Sequence, residues 1–401
     1  MLNKFFTRRV GKIFAIALSR SASFFAFFVV YSTSSSEVFN EFALYFSIWQ
    51  IASQVVGLQL GVTLFRRALL TRDKETFNGV SKVITACAIP VYVVSILLLW
   101  LIGGDVLLCA ILTSFMYSIF HALSEHVRGR GREFLVFFSY SLPPLILVGA
   151  ACYFYTLDIK FDFYDLFLIE ISSYLFVVAI VTRSMWTEIC VENNCEWNFF
   201  WREWKSISAP LILSNLFLYS YANLPQVISH FLGVSDEEFS SQAVVMRFVA
   251  IASSISAIFS LALQRETITL YDSAMPGYEN QKKVLLFEIP VLLLCIAAAL
   301  FALVYALEHY TGGDNLELGY AAAVFVVGVL YFINYAATNF LMAEGLLYKA
   351  ARAMVSGFFV YILFIMGQMI FYVDSRAYLL ALVAALLTTA LVRYKSLNVR
   401  F

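Results

Sequence analysis

Long apolar runs separated by short charged segments constrain this chain more than any other feature. A helix needs about 20 apolar residues to cross the ~30 Å hydrocarbon core of a bilayer. Hydrophobic residues make up 61% of the chain and charged residues only 13%, whereas soluble domains carry about 25% charged residues. We therefore predict an all-α integral membrane protein with twelve transmembrane helices. The predicted spans are 12–33, 39–63, 82–102, 105–124, 134–155, 165–184, 207–231, 239–263, 284–306, 317–342, 349–371 and 376–393.

The distribution of cations predicts the orientation of these spans. Cytoplasmic connections of membrane proteins carry an excess of Lys and Arg. With the N-terminus in the cytoplasm, only Arg20, Lys160, Arg247 and Arg376 of the 27 Lys and Arg residues fall outside the inner connections and their flanks. We therefore expect a multi-pass protein of the bacterial inner (cytoplasmic) membrane with both termini cytoplasmic. The first span lacks a convincing cleavage site and is expected to stay as a signal anchor.

A cytoplasmic linker divides the predicted spans into two groups of six. We expect an N-terminal six-helix bundle at 1–184, a linker at 185–206 and a C-terminal six-helix bundle at 207–401. Tryptophan favours the headgroup region of a membrane, so the linker is expected to contain a helix lying along the inner surface. The tryptophans of the linker are Trp186, Trp197, Trp201 and Trp204.

The two groups of spans also resemble each other in sequence. A shift of 200 residues brings Phe39 onto Phe239, Ala43 onto Ala243, and the Ile-Ala-Ser run at 51–53 onto 251–253. With six spans in each half, both halves would have the same orientation. This pattern predicts a parallel repeat about an axis normal to the membrane, as in transporters built from duplicated bundles.

Two arginines within predicted spans are the first candidates for function. Arg20 lies in the first span and Arg247 in the eighth. An arginine that faces lipid at mid-depth costs about 2.5–3.5 kcal/mol, so such residues usually face a cavity or a partner. Snorkelling to the interface is the alternative. An arginine from each half would suit an anionic, phosphate-bearing substrate, because the guanidinium fork matches phosphate geometry.

Polar residues on the second and seventh spans are the next candidates. They recur at helical spacing and share roughly one face of each span. Hydrogen bonding between helices explains them about as well as a hydrated cavity does. From these faces we take Gln54, Asn215 and Asn223 as candidate substrate-binding residues. The complete polar set is Gln50, Gln54 and Gln59 on the second span and Asn215, Asn223 and Gln226 on the seventh.

Three further features have both a functional and a simpler interpretation. Pro225, deep in the seventh span, is the best hinge candidate, although membrane helices often tolerate proline. Arg66 and Arg67 could in addition collect an anionic headgroup on the inner side, although the positive-inside topology explains them fully. Glu170 lies near a span end, where a wetted rim is the favoured interpretation.

Several functional classes find no support in the sequence. It contains no Walker A loop, no HExxH and no GxSxG in a suitable setting, and its 4 His and 6 Cys residues are dispersed. The net charge of zero gives no basic excess for nucleic acid. We therefore expect no cofactor, no metal, no nucleic-acid partner and no enzymatic activity. A membrane-embedded polysaccharide polymerase or ligase is a weaker alternative, because the external loops are short and acidic.

At several places the sequence is similar to one known transporter family. Residues 41–45 (Glu-Phe-Ala-Leu-Tyr) resemble the family's Glu-Phe-Gly-x-Tyr, with Ala43 in the glycine position, and 60–66 resemble its Leu-Gly-x-x-x-x-x-Arg. Residues 232–263, with Arg247, resemble the second-half counterpart, and 339–349 resemble the turn after span ten. The family is that of the bacterial polysaccharide flippases, which translocate O-antigen and capsule repeat units. They belong to the multidrug/oligosaccharidyl-lipid/polysaccharide exporter (MOP) superfamily.

The resemblance implies a V-shaped transporter with spans 1, 2, 7 and 8 around a central cavity. That cavity would pass a polyprenyl-diphosphate-linked oligosaccharide across the inner membrane by alternating access, for lipopolysaccharide or capsule biosynthesis. Arg20 and Arg247 would engage the diphosphate. Membrane lipids, a polysaccharide polymerase and a chain-length regulator are the implied partners. The alternative within transport is a multidrug or small-solute exporter of the same architecture.

Overall fold

The computed structural model describes residues 22–23, 25–71, 93, 97, 104–184, 197–274, 277–296, 316–369 and 375–397, and the regular structure among them is entirely helical. In chain order the helices are α1 (Ser36–Val56), α2 (Leu60–Thr71), α3 (Asp105–Gly129), α4 (Glu133–Thr156), α5 (Phe163–Ser184), α6 (Trp197–Ser206), α7 (Ser208–Phe231), α8 (Asp236–Asp272), α9 (Gly277–Lys283), α10 (Leu316–Ala343), α11 (Leu347–Met369) and α12 (Ser375–Ser396). A π-helical segment, Val284–Glu288, continues α9, and residues 22–23 and 25–33 are helical before α1. The predicted all-α fold agrees with this arrangement.

Six helices in the described part of the chain are long and apolar enough to cross a membrane. Their ends lie within a few residues of the predicted spans, because each ends where charged residues or a turn follow the apolar run. Half of the first predicted span and all of the third except residues 93 and 97 lie outside the described residues. The six segments are Asp105–Gly129, Phe134–Thr156, Phe163–Ser184, Ala323–Ala343, Leu347–Gly367 and Tyr378–Ser396.

The contacts divide the chain into two compact units, Met1–Val244 and Val245–Phe401. The first unit extends beyond the predicted linker because α7 packs against α1. The contacts of α7 show where it packs, not which of the two predicted repeats it belongs to. The assignment of 207–401 to a second bundle therefore stays a prediction.

The second predicted span is broken into two helices. α1 ends at Val56, and α2 begins at Leu60 and continues to Thr71. Between them Leu58 (φ 48°) and Gln59 (φ 49°) adopt the left-handed conformation, which costs a residue other than glycine roughly 1–2 kcal/mol. The prediction of one continuous helix over 39–63 was therefore wrong. Hydropathy did not reveal the break, because Leu58 is as apolar as its helical neighbours.

Two glycines let α3 approach this broken span closely. A Cβ on Gly57 would lie 2.8 Å from Ser118 Oγ, and one on Gly61 would lie 2.9 Å from Glu125 Cγ. Ser118 Oγ also donates to Ser114 O at 2.6 Å, inside its own helix. Glycines four residues apart with small partners allow this backbone approach between membrane helices.

Aromatic side chains fill the core of the first unit. Tyr45 contacts the rings of Phe163 and Phe167, with centroids 5.4 and 6.2 Å away. Such edge-to-face pairs add about 0.5–1.5 kcal/mol beyond the area that they bury. Aromatic packing thus joins α1 to α5.

The positions that the predicted repeat aligns lie side by side in the first unit. Phe39, Ala43, Phe239 and Ala243 belong to one buried cluster. Ser240 Oγ donates to Asn40 Oδ1 at 2.8 Å, across a sequence separation of 200. Equivalent residues meet in this way near an axis that relates two copies. The internal duplication itself stays a prediction.

In the second unit, α12 packs against both α10 and α11. Lys282 Nζ forms an ion pair with Glu344 Oε1 at 2.7 Å, and Tyr278 OH donates to the same oxygen at 3.0 Å. Burial, and next the Glu344 carboxylate, raise the pKa of the Tyr278 hydroxyl well above its ordinary value. α9 is thereby fixed to the turn that follows α10.

We expect Gly61→Ala to destabilise the protein by about 1–3 kcal/mol, the usual cost of overpacking. The new methyl would press on Glu125, which is buried and forms an ion pair with Arg128 at 2.5 Å. Thermal unfolding in detergent measures the change. The matched control is Gly149→Ala in α4, where a Cβ meets nothing within 4 Å; it should unfold at the wild-type temperature or above. Equal effects of the two substitutions would contradict the close approach of α3.

Candidate functional site

The polar faces predicted on the second and seventh spans contact each other along α1 and α7. Ser47 bonds to Gln226, Gln50 to Asn223 and Gln59 to Asn215. As the residue number rises along the second span it falls along the seventh, so the two run antiparallel. We call the polar residues of α1, of α7 and of the break that follows α1 the polar interface.

The middle of the polar interface is formed by Gln50 and Asn223. Asn223 Nδ2 donates to Gln50 Oε1 at 3.2 Å and to Tyr219 O, one turn back, at 2.8 Å. Asn223 Oδ1 is buried and has no hydrogen-bond donor among the residues that the structure describes. A buried acceptor without a donor costs about 1–3 kcal/mol. A bound solute or a water could supply that donor.

A cluster of three amides forms the end of the polar interface that lies at the break. Gln59 Nε2 donates to Gln54 Oε1 at 2.7 Å, and Asn215 Nδ2 donates to Gln59 Oε1 at 3.0 Å. Gln54 Nε2 in turn donates to Gln50 O at 3.2 Å and Ser53 Oγ at 2.9 Å. We call Gln54, Gln59 and Asn215 the amide cluster.

The end of the polar interface that is farther from the break extends to the start of α8. Gln226 is fully buried; its Oε1 accepts from Ser47, and its Nε2 donates to Ala243 O at 3.4 Å. Ser229 Oγ donates to Gln242 Oε1 at 2.6 Å. This part of the interface therefore joins α1, α7 and α8 through buried hydrogen bonds.

Of the two interpretations of these polar faces, hydrogen bonding between helices is present in the structure. Gln54, Asn215 and Asn223 all take part in the polar interface. Contact of these three residues with a substrate stays a prediction.

The predicted cationic residues do not all lie in the described part of the chain. Arg20 lies outside the described residues. Arg247 lies on α8 in the second unit and is 1% exposed, so protein and not lipid surrounds it. Arg66 and Arg67 lie on α2, downstream of the break. Their predicted roles stay predictions.

Pro225 is buried within α7, which continues through it from Ser208 to Phe231. A proline inside a helix removes one backbone hydrogen bond and favours a kink. The hinge role of Pro225 stays a prediction.

Glu170 is a candidate that the sequence placed wrongly. It is 5% exposed, in the core of the first unit, whereas a wetted rim was expected. Tyr45 OH donates to Glu170 Oε2 at 3.1 Å and lies 2.7 Å from Thr113 Oγ1. An ionisable residue buried within a membrane bundle is a functional candidate. Distance from a span end predicted exposure poorly here, because Glu170 packs against Tyr45 of α1.

The described residues contain no group of three or more His, Cys, Asp or Glu side chains able to hold a metal ion. The buried polar groups described above are amides, one carboxyl and one guanidinium. This chemistry can bind and release a solute by hydrogen bonds and charge.

Comparison with solved structures identifies the fold. No protein-family model and no curated protein matches the chain. A MATE transporter of Vibrio cholerae, in an Asp-to-Asn variant, is similar over 98% of this chain and 96% of its own, with a TM-score of 0.67 and 13% identity. A MOP superfamily transporter of Pyrococcus furiosus is similar over 97% and 94%, with a TM-score of 0.65 and 12% identity.

The chain has the fold of the MATE transporters. A third similar structure, a multidrug resistance MATE family transporter in an outward-facing conformation, covers 97% of this chain and 93% of its own, with a TM-score of 0.62 and 12% identity. The predicted fold class is confirmed. The protein is a multi-pass membrane protein with a transporter fold.

The hydrogen bond between Gln50 and Asn223 should be measurable in a double-mutant cycle. We expect Gln50→Ala and Asn223→Ala to show a coupling free energy of about 0.6 kcal/mol in unfolding, the average for hydrogen bonds between membrane helices. Gln50→Ala combined with Ser229→Ala is the control, because Ser229 bonds to Gln242 and its effect should be additive. Additivity in the first pair would contradict a stabilising bond between α1 and α7.

Proposed function

We propose that this protein exports an organic solute across the bacterial inner membrane by alternating access, with both termini in the cytoplasm. The observation that carries the proposal is similarity to MATE transporters over nearly the whole chain. The polar interface supplies hydrogen-bonding groups between two helices of the first unit.

The first candidate is a multidrug or small-solute exporter. One of the similar structures is a multidrug resistance transporter, and the comparisons favour this candidate. The buried Glu170 carboxyl adds to it, because a membrane-buried acid can exchange a proton or attract a cationic solute.

The second candidate is a flippase for a polyprenyl-diphosphate-linked oligosaccharide in O-antigen, lipopolysaccharide or capsule biosynthesis. The motif resemblance and the burial of Arg247 support it, since a guanidinium matches a diphosphate. The similar transporter of Pyrococcus furiosus is described as having a binding pocket of reverse polarity that suggests a different function, so this fold accommodates pockets of more than one polarity.

In either candidate the same residues would handle the solute. Gln54, Asn215 and Asn223 would offer hydrogen bonds, and Pro225 would act as a hinge of α7. In the flippase, Arg20 and Arg247 would hold the diphosphate, and Arg66 and Arg67 would collect the headgroup on the inner side. A polysaccharide polymerase and a chain-length regulator would be its partners.

Two assays separate the candidates. An exporter should increase ethidium efflux from cells that lack their own drug exporters, and Glu170→Gln should abolish that efflux. A flippase should restore surface polysaccharide in a flippase-deficient strain, and Arg247→Ala should abolish it at unchanged protein level. Full activity of Arg247→Lys would show that the positive charge of Arg247 suffices and that the guanidinium geometry is not required.

The controls are variants of exposed residues with the same chemistry. Arg352 is exposed on α11, and Glu288 is half-exposed beside Lys283. Arg352→Ala and Glu288→Gln should match the wild type in both assays. Inactivity of the wild type in both assays, with the protein present in the membrane, would contradict both substrate candidates.

A further inference from the structure

The break between α1 and α2 is the most unusual backbone feature of the first unit. Leu58 and Gln59 are consecutive residues with positive φ, and neither is glycine, asparagine or aspartate. Residues of these types seldom adopt this conformation unless the surrounding structure imposes it. Contacts from elsewhere in the chain must therefore hold the break.

The break gives the Gln59 side chain a direction that a continuous helix could not. Residues i and i+5 of an α-helix point about 140° apart. Gln54 and Gln59 are separated by five positions, and yet their side-chain amides are 2.7 Å apart. The two left-handed residues fold Gln59 back towards Gln54. The amide cluster therefore depends on the break.

Two side chains bind the backbone carbonyls that the break exposes. Trp204 on the linker helix α6 donates from Nε1 to Leu58 O at 3.0 Å. Ser208, at the start of α7, donates from Oγ to Gln59 O at 2.6 Å and lies 2.6 Å from Thr63 Oγ1. Both carbonyls of the strained residues thus accept a hydrogen bond from outside their own helix.

We propose that Trp204 is a positioning residue: its bond to Leu58 holds the strained break, and the break holds Gln59 against Gln54 and Asn215. Ser208 supports the same conformation from α7. The linker helix thereby influences the geometry of the amide cluster through the break, by the hydrogen bond from Trp204 to Leu58 O.

The consequence for transport rests on the proposed function. Primary amides offer both donors and acceptors without net charge, so the amide cluster suits a hydroxyl-bearing or amide-bearing part of a solute. A change in the position of α6 at the inner membrane surface would loosen the break and with it this cluster.

Crosslinking of Gln59→Cys to Asn215→Cys tests the proposal without any solute. The pair is placed in a chain whose six native cysteines are replaced, and a short bifunctional thiol reagent is applied to membranes. Trp204→Phe keeps the aromatic contact with Trp201 but removes the hydrogen bond. It should lower the crosslinking yield roughly fivefold, the factor expected from the loss of one hydrogen bond.

A second substitution separates positioning from simple packing. Glycine adopts a positive φ without strain, so Leu58→Gly should restore the yield of Trp204→Phe to within about twofold of the parent, because the break then persists without its clamp. Val55→Gly, one turn earlier in α1, should not restore it. Trp201→Phe alone should leave the yield unchanged.

The opposite results would overturn the proposal. An unchanged yield in Trp204→Phe, or equal rescue by Leu58→Gly and Val55→Gly, would show that Trp204 does not act through the break. Should Trp204→Phe fail to accumulate in the membrane, Ser208→Ala replaces it with the same expected loss and the same rescue. A protein that gives the predicted crosslinks but transports neither ethidium nor the lipid-linked oligosaccharide would contradict the proposed function and leave the positioning role intact.

Discussion

The rest of the first unit depends on the pairing of polar side chains between α1 and α7. Within a bilayer an unsatisfied amide or carbonyl costs several kcal/mol. The chain nevertheless places amides at Gln50, Gln54, Gln59, Asn215 and Asn223. The structure reconciles these facts in large part by packing α1 against α7, where Asn223 donates to Gln50 and Asn215 donates to Gln59. The seventh span accordingly belongs to the same compact unit as the second, although the linker separates them in sequence.

Sequence reasoning located the helices well because hydrophobic length is a direct physical requirement. α5 and α7 begin and end within about two residues of the predicted spans. The polar faces were also predictable, since helical spacing decides which residues share a side. Which of these faces contact each other could not be predicted from the helical spacing. The bonds of Asn215 to Gln59 and of Asn223 to Gln50 depend on the antiparallel alignment of two helices that are far apart in sequence.

Two errors have the same origin. In sequence, Leu58 and Gln59 resemble ordinary helical residues, and Glu170 resembles a solvent-exposed residue at the end of a span. In each case tertiary contacts override the local preference: Trp204 and Ser208 bind the carbonyls of the break, and Tyr45 binds the carboxyl. No pattern within a single span carries that information. Gly57, just before the break, was a local signal for it. The close approach of Ser118 also explains why a glycine stands at this position.

The strain in the break and the Asn223 oxygen, which has no donor among the described residues, point in the same direction. Sequences fold best when each local choice agrees with the whole, and exceptions concentrate at functional sites. Here both exceptions lie along one interface, in a protein whose fold is that of transporters. A set of amides that satisfied every partner would be a purely structural joint. In the part of the chain that the structure describes, Asn223 Oδ1 has no donor and lies on the same interface as a backbone held in an unfavourable conformation. Such a set retains the capacity to exchange partners, which the proposed movement of a solute would require.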